Sequence, residues 1–307
     1  MLRKLVILGV AAGVLGLGLF WFLTIPATVP ANALAPRTPD LANGKTMFYA
    51  GGCISCHAVN KDEPTRLGGG LGLKSPFGTF YVPNISPDPK DGIGGWTEAQ
   101  FVTAMTKGTS PDGAHYFPAF PYTSYQRIAF DDLRDLFAHI KALPAVQGRV
   151  RGHDVPFPFN VRRSLGGWKL LFLDGEKFKP DPSKSAAWNR GAYLVNGPGH
   201  CAECHSPRNI LGGIVTSQRF AGGPNPEGEG WVPNITQKGL GKWSEKDIAY
   251  LLETGSTPDG DSVGGAMAPV IRNTSQLSQD DRAAMAMYLK SLPPVDDPPR
   301  PKKQEAK

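Results

Sequence analysis

The stretch Cys53-Ile-Ser-Cys-His57 decides how this chain folds, and it recurs as Cys201-Ala-Glu-Cys-His205. In a CxxCH motif the two thiols bond to the vinyl groups of a haem, and the adjacent histidine binds one axial face of the iron. Two intervening residues let one helical turn present both sulfurs to the porphyrin edge. The sequence therefore predicts two covalently bound haem c groups. The predicted attachment and iron-binding residues are Cys53, Cys56 and His57 for the first haem, and Cys201, Cys204 and His205 for the second.

Two other uses of the four cysteines explain the sequence less well. A zinc site built from both CxxC pairs would have to join Cys56 to Cys201 across 145 positions, far beyond the usual spacing of zinc ribbons. A disulfide framework explains neither histidine. Covalent haem uses all four cysteines and both adjacent histidines.

The N-terminus carries a segment long enough to cross a membrane. Arg3 and Lys4 precede residues 5–23, nineteen positions without a charge. A length near 20 residues fits a spanning helix with a cytoplasmic cationic flank, whereas a secretory signal has a shorter apolar region and a nearby small-x-small cleavage site. We expect an uncleaved anchor, with a cleaved signal as the alternative. Either places the haem domains on the periplasmic side of the inner membrane.

Composition limits the fold and the partners. The chain has 307 residues, enough for two domains of ordinary size. Its 37 Gly and 29 Pro predict long irregular loops, and a hydrophobic content of 40% is low for a large core, which a haem buried in each domain would supplement. The net charge of +6 is partly terminal and has no basic run with interleaved aromatic residues, so nucleic-acid binding is not predicted.

The segments that follow the first motif recur after the second. The matching pairs are Val-Pro-Asn-Ile at 82–85 and 232–235, Trp-Thr-Glu at 96–98 with Trp-Ser-Glu at 243–245, and Asp-Gly at 112–113 and 259–260. The Trp pair and the Asp-Gly pair share one offset of 147 positions, which also relates position 120 to position 267. Duplication of a cytochrome domain is the economical explanation.

Apolar spacing and end signals predict the helices of the first copy. They lie at 41–51, at 97–107 with Thr97 and Gln100 spaced as a capping box, and at 131–143 before a proline. Residues 58–95 are predicted to be loop. In the second copy, 189–195 leads to the motif and 278–292 forms the last helix. The predicted fold class is mostly α, with two tandem cytochrome c domains, long Gly/Pro-rich loops and one N-terminal transmembrane or signal helix.

These patterns divide the chain into six segments. They are the anchor or signal 1–25, a spacer 26–39, cytochrome c domain 1 at 40–144, an interdomain strap 145–187, cytochrome c domain 2 at 188–293 and a disordered tail 294–307. The strap holds many aromatic and aliphatic residues, among them Phe157, Phe159 and Trp168. We therefore expect the strap to pack on both domains.

Several segments together resemble one group of proteins. They are the two Val-Pro-Asn-Ile copies, Gly-Ile-Gly-Gly-Trp at 92–96, Tyr-Phe-Pro-Ala-Phe-Pro-Tyr at 116–122, Phe-Pro-Phe-Asn at 157–160 and Cys-His-Ser-Pro-Arg-Asn at 204–209. Over about residues 40–292 the chain resembles the multihaem cytochrome c subunits of membrane-bound bacterial dehydrogenases for alcohols, gluconate, aldehydes and nicotinate-type substrates. The resemblance implies a subunit that accepts electrons from a periplasmic dehydrogenase and passes them to the respiratory chain. The alcohol and gluconate versions typically carry three haem motifs instead of two, so the partner enzyme stays open.

The predicted distal ligands differ between the copies. In a mitochondrial-type cytochrome c domain, a methionine on a loop before the last helix binds the distal face of the iron. Met267 lies in such a position, and we expect it to bind the second iron. The equivalent residue in the first copy is Phe120, which cannot bind iron. His115, which corresponds to Ser262, is the leading substitute, and the alternatives are an open or water-bound iron or another residue.

The sequence predicts a membrane-anchored electron-transfer subunit without a substrate site of its own. Its expected donor is a dehydrogenase, and its acceptor an oxidase, a quinone or a soluble cytochrome. A dihaem peroxidase acting at a first haem without methionine is the leading alternative. A thiosulfate dehydrogenase would be expected to use a cysteine ligand, and no cysteine is spare. The anchor and the aromatic strap disfavour a freely diffusing shuttle.

Overall fold

The computed structural model describes residues 1–226, 228 and 230–300. Those residues form twelve α-helices, three short 3₁₀ turns and two small two-stranded sheets, which confirms the predicted mostly helical class. Helix α1 (Leu2–Leu23) has no residue buried against the rest of the protein. It is long and apolar enough to cross a membrane, a property that signal sequences share.

The first domain is built from five helices and a hairpin. They are α2 (Leu41–Ala50), α3 (Cys53–His57), β1 (Gly72–Ser75), β2 (Gly78–Tyr81), α4 (Glu98–Lys107), α5 (Tyr122–Tyr125) and α6 (Phe130–Lys141). The predicted capping box is confirmed, because the Thr97 hydroxyl accepts from the amide of Gln100 and the Gln100 side chain accepts from the amide of Thr97.

The prediction that residues 58–95 are entirely loop is wrong. β1 and β2 pair antiparallel between them, with Gly72 opposite Tyr81 and Ser75 opposite Gly78. Strands of four residues give too short an alternation to recognise in sequence. After the turn at 76–77, β2 begins at Gly78, whose φ of +128° other residues rarely adopt.

The strap and the second domain complete the chain. Helix α7 (Ser164–Phe172) forms in the strap. The second domain contains α8 (Ala186–Asn196), a 3₁₀ turn (Cys201–Glu203), a second 3₁₀ turn (Thr216–Gln218), β3 (Gly223–Pro224), β4 (Trp231–Val232), α9 (Gln237–Leu240), α10 (Glu245–Thr254), α11 (Met267–Thr274) and α12 (Gln279–Ser291).

In each domain the first and last helices cross at a glycine. A β-carbon on Gly44 of α2 would lie 2.1 Å from the carbonyl oxygen of Asp135 in α6. One on Gly191 of α8 would lie 1.9 Å from the carbonyl oxygen of Ala284 in α12. Gly44 and Gly191 share the offset of 147 positions that relates the two copies. Only glycine allows two helix backbones to approach this closely, so the duplicated residue fixes the same crossing twice.

The two domains share one hydrophobic core. Buried residues of α2 and α6, such as Phe48 and Leu133, belong to the same contiguous cluster as Leu194 and Met285 of the second domain. The hydroxyl of Tyr193 in α8 also accepts from the amide of Ala129, at 3.1 Å. The positions of the two motifs are therefore fixed relative to each other by packing.

The strap contacts both domains. The ammonium of Lys169 in α7 donates to the carbonyl oxygens of Lys107 (2.7 Å) and Gly108 (2.6 Å), which end helix α4. The indole Nε1 of Trp168 donates to the carbonyl oxygen of Leu211 in the second domain, at 2.9 Å.

The segment predicted to be a disordered tail begins with residues that contact the second domain. The side-chain amide of Asn234 donates to the carbonyl oxygen of Val295 (2.8 Å), and the amide of Val295 donates to the hydroxyl of Thr236 (3.2 Å). Positions 301–307 of this segment lie outside the described residues.

Candidate functional site

The residue before each CxxCH motif has a left-handed backbone conformation. Gly52, with φ of +60°, precedes Cys53, and His200, with φ of +37°, precedes Cys201. The left-handed conformation costs free energy in a residue other than glycine and persists only where its surroundings hold it. The His200 ring packs edge-on against Tyr125, with ring centroids 5.6 Å apart, and is hydrogen-bonded to the backbone of Gly51. This histidine is therefore a structural contact between the two motifs.

The histidines that end the motifs are oriented identically. Nδ1 of His57 lies 2.8 Å from the carbonyl oxygen of Pro83, and Nδ1 of His205 lies 2.8 Å from that of Pro233. A histidine that donates its Nδ1–H to a carbonyl presents a lone pair on Nε2, the usual arrangement of a metal-binding imidazole. Burial lowers the pKa of His57 to about 4 and also lowers that of His205, which favours the neutral ring that binds iron.

The repeated Val-Pro-Asn-Ile segments supply those carbonyl groups, a role that the sequence did not reveal. A glycine places each segment, because the amide of Gly69 donates to the carbonyl oxygen of His57 (2.8 Å) and the amide of Gly222 to that of His205 (2.9 Å). A β-carbon on Gly69 would lie 2.4 Å from the carbonyl oxygen of Val82. In the sequence, the feature that pointed to these segments was that Val-Pro-Asn-Ile occurs once after each motif.

The cysteines do not form the alternative zinc site. None of the four is in a disulfide. Among the residues that the structure describes, no group of three or more His, Cys, Asp or Glu side chains is placed to hold a metal ion. The two Cys pairs with their oriented histidines fit two separate haem groups.

Met267 is the first residue of α11, although the sequence placed it on a loop. The helix follows Gly264 and Gly265, and the Met267 side chain is partly buried against the shared core. A helix of eight residues after two glycines gives little periodic pattern in the sequence, which is why it was not predicted. Its position just before α12 is the one expected of a distal methionine.

Phe120, the equivalent of Met267, lies in a group of aromatic rings. Its ring centroid is 5.7 Å from those of Tyr116 and Tyr125 and 6.3 Å from that of Tyr122. Burial raises the pKa of Tyr116 to about 12 and raises those of the other two tyrosines further. The distal position of the first domain is therefore surrounded by neutral aromatic side chains.

Both ring nitrogens of His115 are hydrogen-bonded within the protein. It is buried, and Lys169 donates to its Nδ1 at 3.0 Å. Nε2 then carries the proton and donates to the carbonyl oxygen of Thr24 at 2.9 Å. Burial lowers the pKa of His115, consistent with this neutral form. The arrangement argues against the predicted role of His115 as a ligand of the first iron.

Two further histidines have structural contacts. Nδ1 of His153 accepts from the amide of Tyr81 at 3.0 Å. The ring of His139 packs against Phe48, with centroids 5.2 Å apart.

Each CxxCH motif contacts the opposite domain through its third residue. The hydroxyl of Ser55, the third residue of the first motif, accepts from the side-chain amide of Asn273 (2.8 Å) in α11. Glu203, the third residue of the second motif, accepts from the hydroxyls of Thr123 (2.7 Å) and Ser124 (2.8 Å) in α5. Each domain thus places a helix that begins at Met267, or just after Phe120, against the attachment motif of the other. We call this pair of contacts the reciprocal contact.

Glu203 is a buried carboxylate with several donors. Burial opposes its ionisation, but Arg208, at 2.7 Å, and the two hydroxyls outweigh that effect and hold its pKa below the ordinary value. The contact is therefore ionic on the side of the second motif and neutral on the side of the first.

Comparison with known proteins places the two halves in one family. The family model described as Cytochrome c matches residues 41–144 and again 188–293. The chain is similar to a Cereibacter sphaeroides protein named "Diheme cytochrome c-type", with 49% identity over 288 residues, which cover 93% of this chain and 95% of that protein.

Two other similar proteins are named as parts of dehydrogenases. A Pseudomonas putida protein named as a subunit of nicotinate dehydrogenase is 38% identical over 287 residues, which make up 93% of this chain and 24% of that protein. The fructose dehydrogenase cytochrome subunit of Gluconobacter japonicus is 38% identical over 272 residues, 87% of this chain and 55% of that protein. The chain thus matches only part of each of these two larger proteins.

Proposed function

The chain belongs to the cytochrome c family and carries two covalently bound haem c groups, and we propose that it is the membrane-anchored electron-transfer subunit of a bacterial dehydrogenase. Relatives named as cytochrome subunits of fructose, alcohol and gluconate dehydrogenases support the role. The apolar helix α1, with its cationic N-terminal flank, supports a location on the periplasmic side of the inner membrane.

The residues proposed to hold the haems follow from the geometry of the motifs. The cysteine pairs would attach the two groups, and His57 and His205 would bind iron through Nε2. The carbonyl oxygens of Pro83 and Pro233 fix both rings in the same way. When bound, each haem supplies an iron that gains and loses one electron.

The distal sides are proposed to be unequal. Met267 is the proposed distal ligand in the second domain, and the first domain has no protein ligand at the equivalent position. Phe120 has no group that binds iron, and both nitrogens of His115 are engaged elsewhere. A thioether ligand raises the haem potential, so electrons should enter at the first domain and leave from the second.

The reciprocal contact is the single observation that carries this function. Ser55 and Glu203 are each bonded to a helix of the opposite domain, so both attachment motifs lie at the interface between domains. The shared core holds that interface in place. Electron transfer between two sites needs a fixed separation, which two independent carriers on a flexible linker would not have.

A haem peroxidase in the first domain is the second candidate, favoured by the proposed open distal position. A peroxidase also needs an acid or base beside the iron. The rings that contact Phe120 belong to tyrosines whose pKa values burial raises, Tyr116 to about 12, and neutral phenols of that kind are poor proton acceptors. Electron transfer is therefore the better account.

Purification of the native complex tests the proposal. The full chain with a C-terminal affinity tag would be extracted from its own membranes in mild detergent, and the co-purifying proteins identified. We expect a dehydrogenase whose substrate reduces both haems, and reoxidation by a membrane oxidase, a quinone or a soluble cytochrome. A chain that purifies alone and turns over hydrogen peroxide would contradict the proposal.

A further inference from the structure

Exposed apolar side chains are concentrated on one part of the molecule. Among the described residues beyond α1, twelve large apolar side chains are exposed, and seven of these lie within 157–171 or at 210–211. Leu171 is 67% exposed, Phe157 80% and Ile210 93%. A contiguous exposed apolar surface is unfavourable in water and marks a place of interaction.

These side chains form one surface across the strap and the second domain. Trp168 of α7 is bonded to Leu211, and the Phe172 ring lies 2.3 Å from where a β-carbon of Gly213 would be. Phe77, at the turn between β1 and β2, packs against Phe159 with ring centroids 5.2 Å apart. We define the apolar patch as six of these seven exposed residues, which lie at or close in the chain to those contacts: Phe157, Phe159, Leu170, Leu171, Ile210 and Leu211.

Helix α7, which carries Leu170 and Leu171 of the apolar patch, lies against the end of helix α1. The Arg163 guanidinium lies over the Trp21 ring, 4.0 Å from its centroid. Gly166 and Gly167 of α7 allow close approach, since their β-carbons would lie 2.5 Å from Thr24 and 3.2 Å from the Phe20 ring. Helix α7 therefore packs directly beside the last turn of α1.

This packing sets the depth of α7 relative to a bilayer. Helix α1 has 22 residues, and at about 1.5 Å per residue it is about 33 Å long, close to the thickness of the hydrocarbon core. Its last turn then lies at the outer boundary of that core, and α7 lies there with it. Tryptophan side chains, such as Trp21 and Trp168, are typical of this boundary.

We propose that the apolar patch rests in the outer lipid interface and forms a second contact with the bilayer, beside α1. The inference rests on the anchoring role of α1 in the proposed function. A single helix would leave the two domains free to rotate about it, whereas a second contact fixes which face points away from the membrane. An apolar face of this kind gains free energy by partial burial among headgroups and acyl chains.

Photo-crosslinking in a defined bilayer tests the proposal. Variants Leu171→p-benzoylphenylalanine and Ile210→p-benzoylphenylalanine of the full holoprotein would be placed in nanodiscs of phosphatidylethanolamine and phosphatidylglycerol and irradiated. Peptide mass spectrometry would then quantify lipid adducts. The same change at Leu8 of α1 is the positive control. Tyr250, exposed at 56% on α10, is the matched negative control.

We expect lipid adducts at Leu8, Leu171 and Ile210, with yields at the last two at least several-fold above that at Tyr250. Adducts at Leu8 with none above the Tyr250 level at Leu171 and Ile210 would overturn the proposal while leaving the anchor intact. No adduct at Leu8 would overturn the anchor and the patch together. Adducts with a protein in place of lipid, in native membranes, would show that the patch is a subunit interface and overturn the proposal as well.

Discussion

The two cytochrome domains agree on one side of the predicted haem and differ on the other. On the proximal side, each histidine has the same 2.8 Å contact to a proline carbonyl oxygen. On the distal side, one domain has Phe120 among aromatic rings and the other has Met267 at the start of α11. The proximal side preserves attachment, whereas the distal ligand is one of the main determinants of haem potential. Duplication of a scaffold thus allows two different electronic sites without a change of fold.

A second difference lies in the reciprocal contact. The first motif contributes the neutral hydroxyl of Ser55, and the second contributes the buried carboxylate of Glu203. The two contacts involve the same motif position, but one is made by a neutral hydroxyl and the other by a charged carboxylate. The two halves of the interface should therefore respond unequally to equivalent mutations.

Removal of one pair of haem-attaching cysteines should have the largest effect on the difference between the two domains. Cys53→Ala/Cys56→Ala and Cys201→Ala/Cys204→Ala should each lose one of the two haems, because each pair attaches its own group. Intact mass and the reduced absorption spectrum measure the loss. A double variant that keeps both haems covalently bound would contradict the assignment.

Exchange of the distal residues should have the next largest effect. Met267→Phe should abolish the weak red absorption of a methionine-ligated ferric haem and lower one potential by on the order of 100 mV, or ~50-fold in a one-electron equilibrium. The reciprocal change Phe120→Met should add such a band and raise the potential of the first haem. Met285→Leu, a buried methionine of the core, is the control. Unchanged spectra in Met267→Phe would show that Met267 is not a ligand.

Mutations in the two halves of the reciprocal contact should lower the free energy of unfolding by different amounts. Glu203→Ala removes the carboxylate that binds Arg208 and two hydroxyls and should cost about 2–4 kcal/mol. Ser55→Ala removes a neutral hydrogen bond and should cost about 1 kcal/mol. Urea unfolding of the holoproteins measures both, and Glu203→Gln should fall between them. Equal losses of unfolding free energy at the two positions would contradict the expected difference between an ionic and a neutral contact.

Acid should protonate a buried carboxylate, that of Asp135, which the second domain lacks. Asp135 of α6 accepts from Arg37, from Asn43 (2.9 Å) and from the amide of Asp40 (2.8 Å), and the equivalent residue in the second domain, at the same helix crossing, is Ala284. Burial opposes the ionisation of Asp135, but these donors hold its pKa below the ordinary value.

The stability contributed by Asp135 is complete above the pKa of an unfolded aspartate, near 3.9, and is lost as the pH falls through the lower native pKa. Asp135→Asn should cost about 1 kcal/mol at neutral pH, and the difference from the parent should shrink below about pH 4. Unfolding at a series of pH values measures this. A difference that is constant down to pH 2 would contradict the assignment.

Repeated and periodic features of the sequence predicted the general architecture. The CxxCH motifs, the offset that relates Trp96 to Trp243 and the capping box at Thr97 are all local patterns. Each needs only a few neighbouring residues to be recognised. The mostly helical class and the longer helices, such as α4 and α12, followed from them.

Features that depend on distant residues were not predicted. The hydrogen-bond partners of His115, Thr24 and Lys169, lie 91 and 54 positions away in the chain. The reciprocal contact joins Ser55 to Asn273 across 218 positions, which no local pattern indicates. The Val-Pro-Asn-Ile segments were recognised as repeats, but the Nδ1 contact to Pro83 became visible only in three dimensions.

A redox titration of the full holoprotein tests the central claim, that the two sites are unequal because their distal residues differ. The reduced absorption would be followed against potential for the parent and for Cys53→Ala/Cys56→Ala, which keeps only the second haem and so assigns its step. We predict two separate steps in the parent, with the higher potential belonging to the haem held by Cys201 and Cys204. Two superimposed steps, or the higher potential at the haem held by Cys53 and Cys56, would contradict the account.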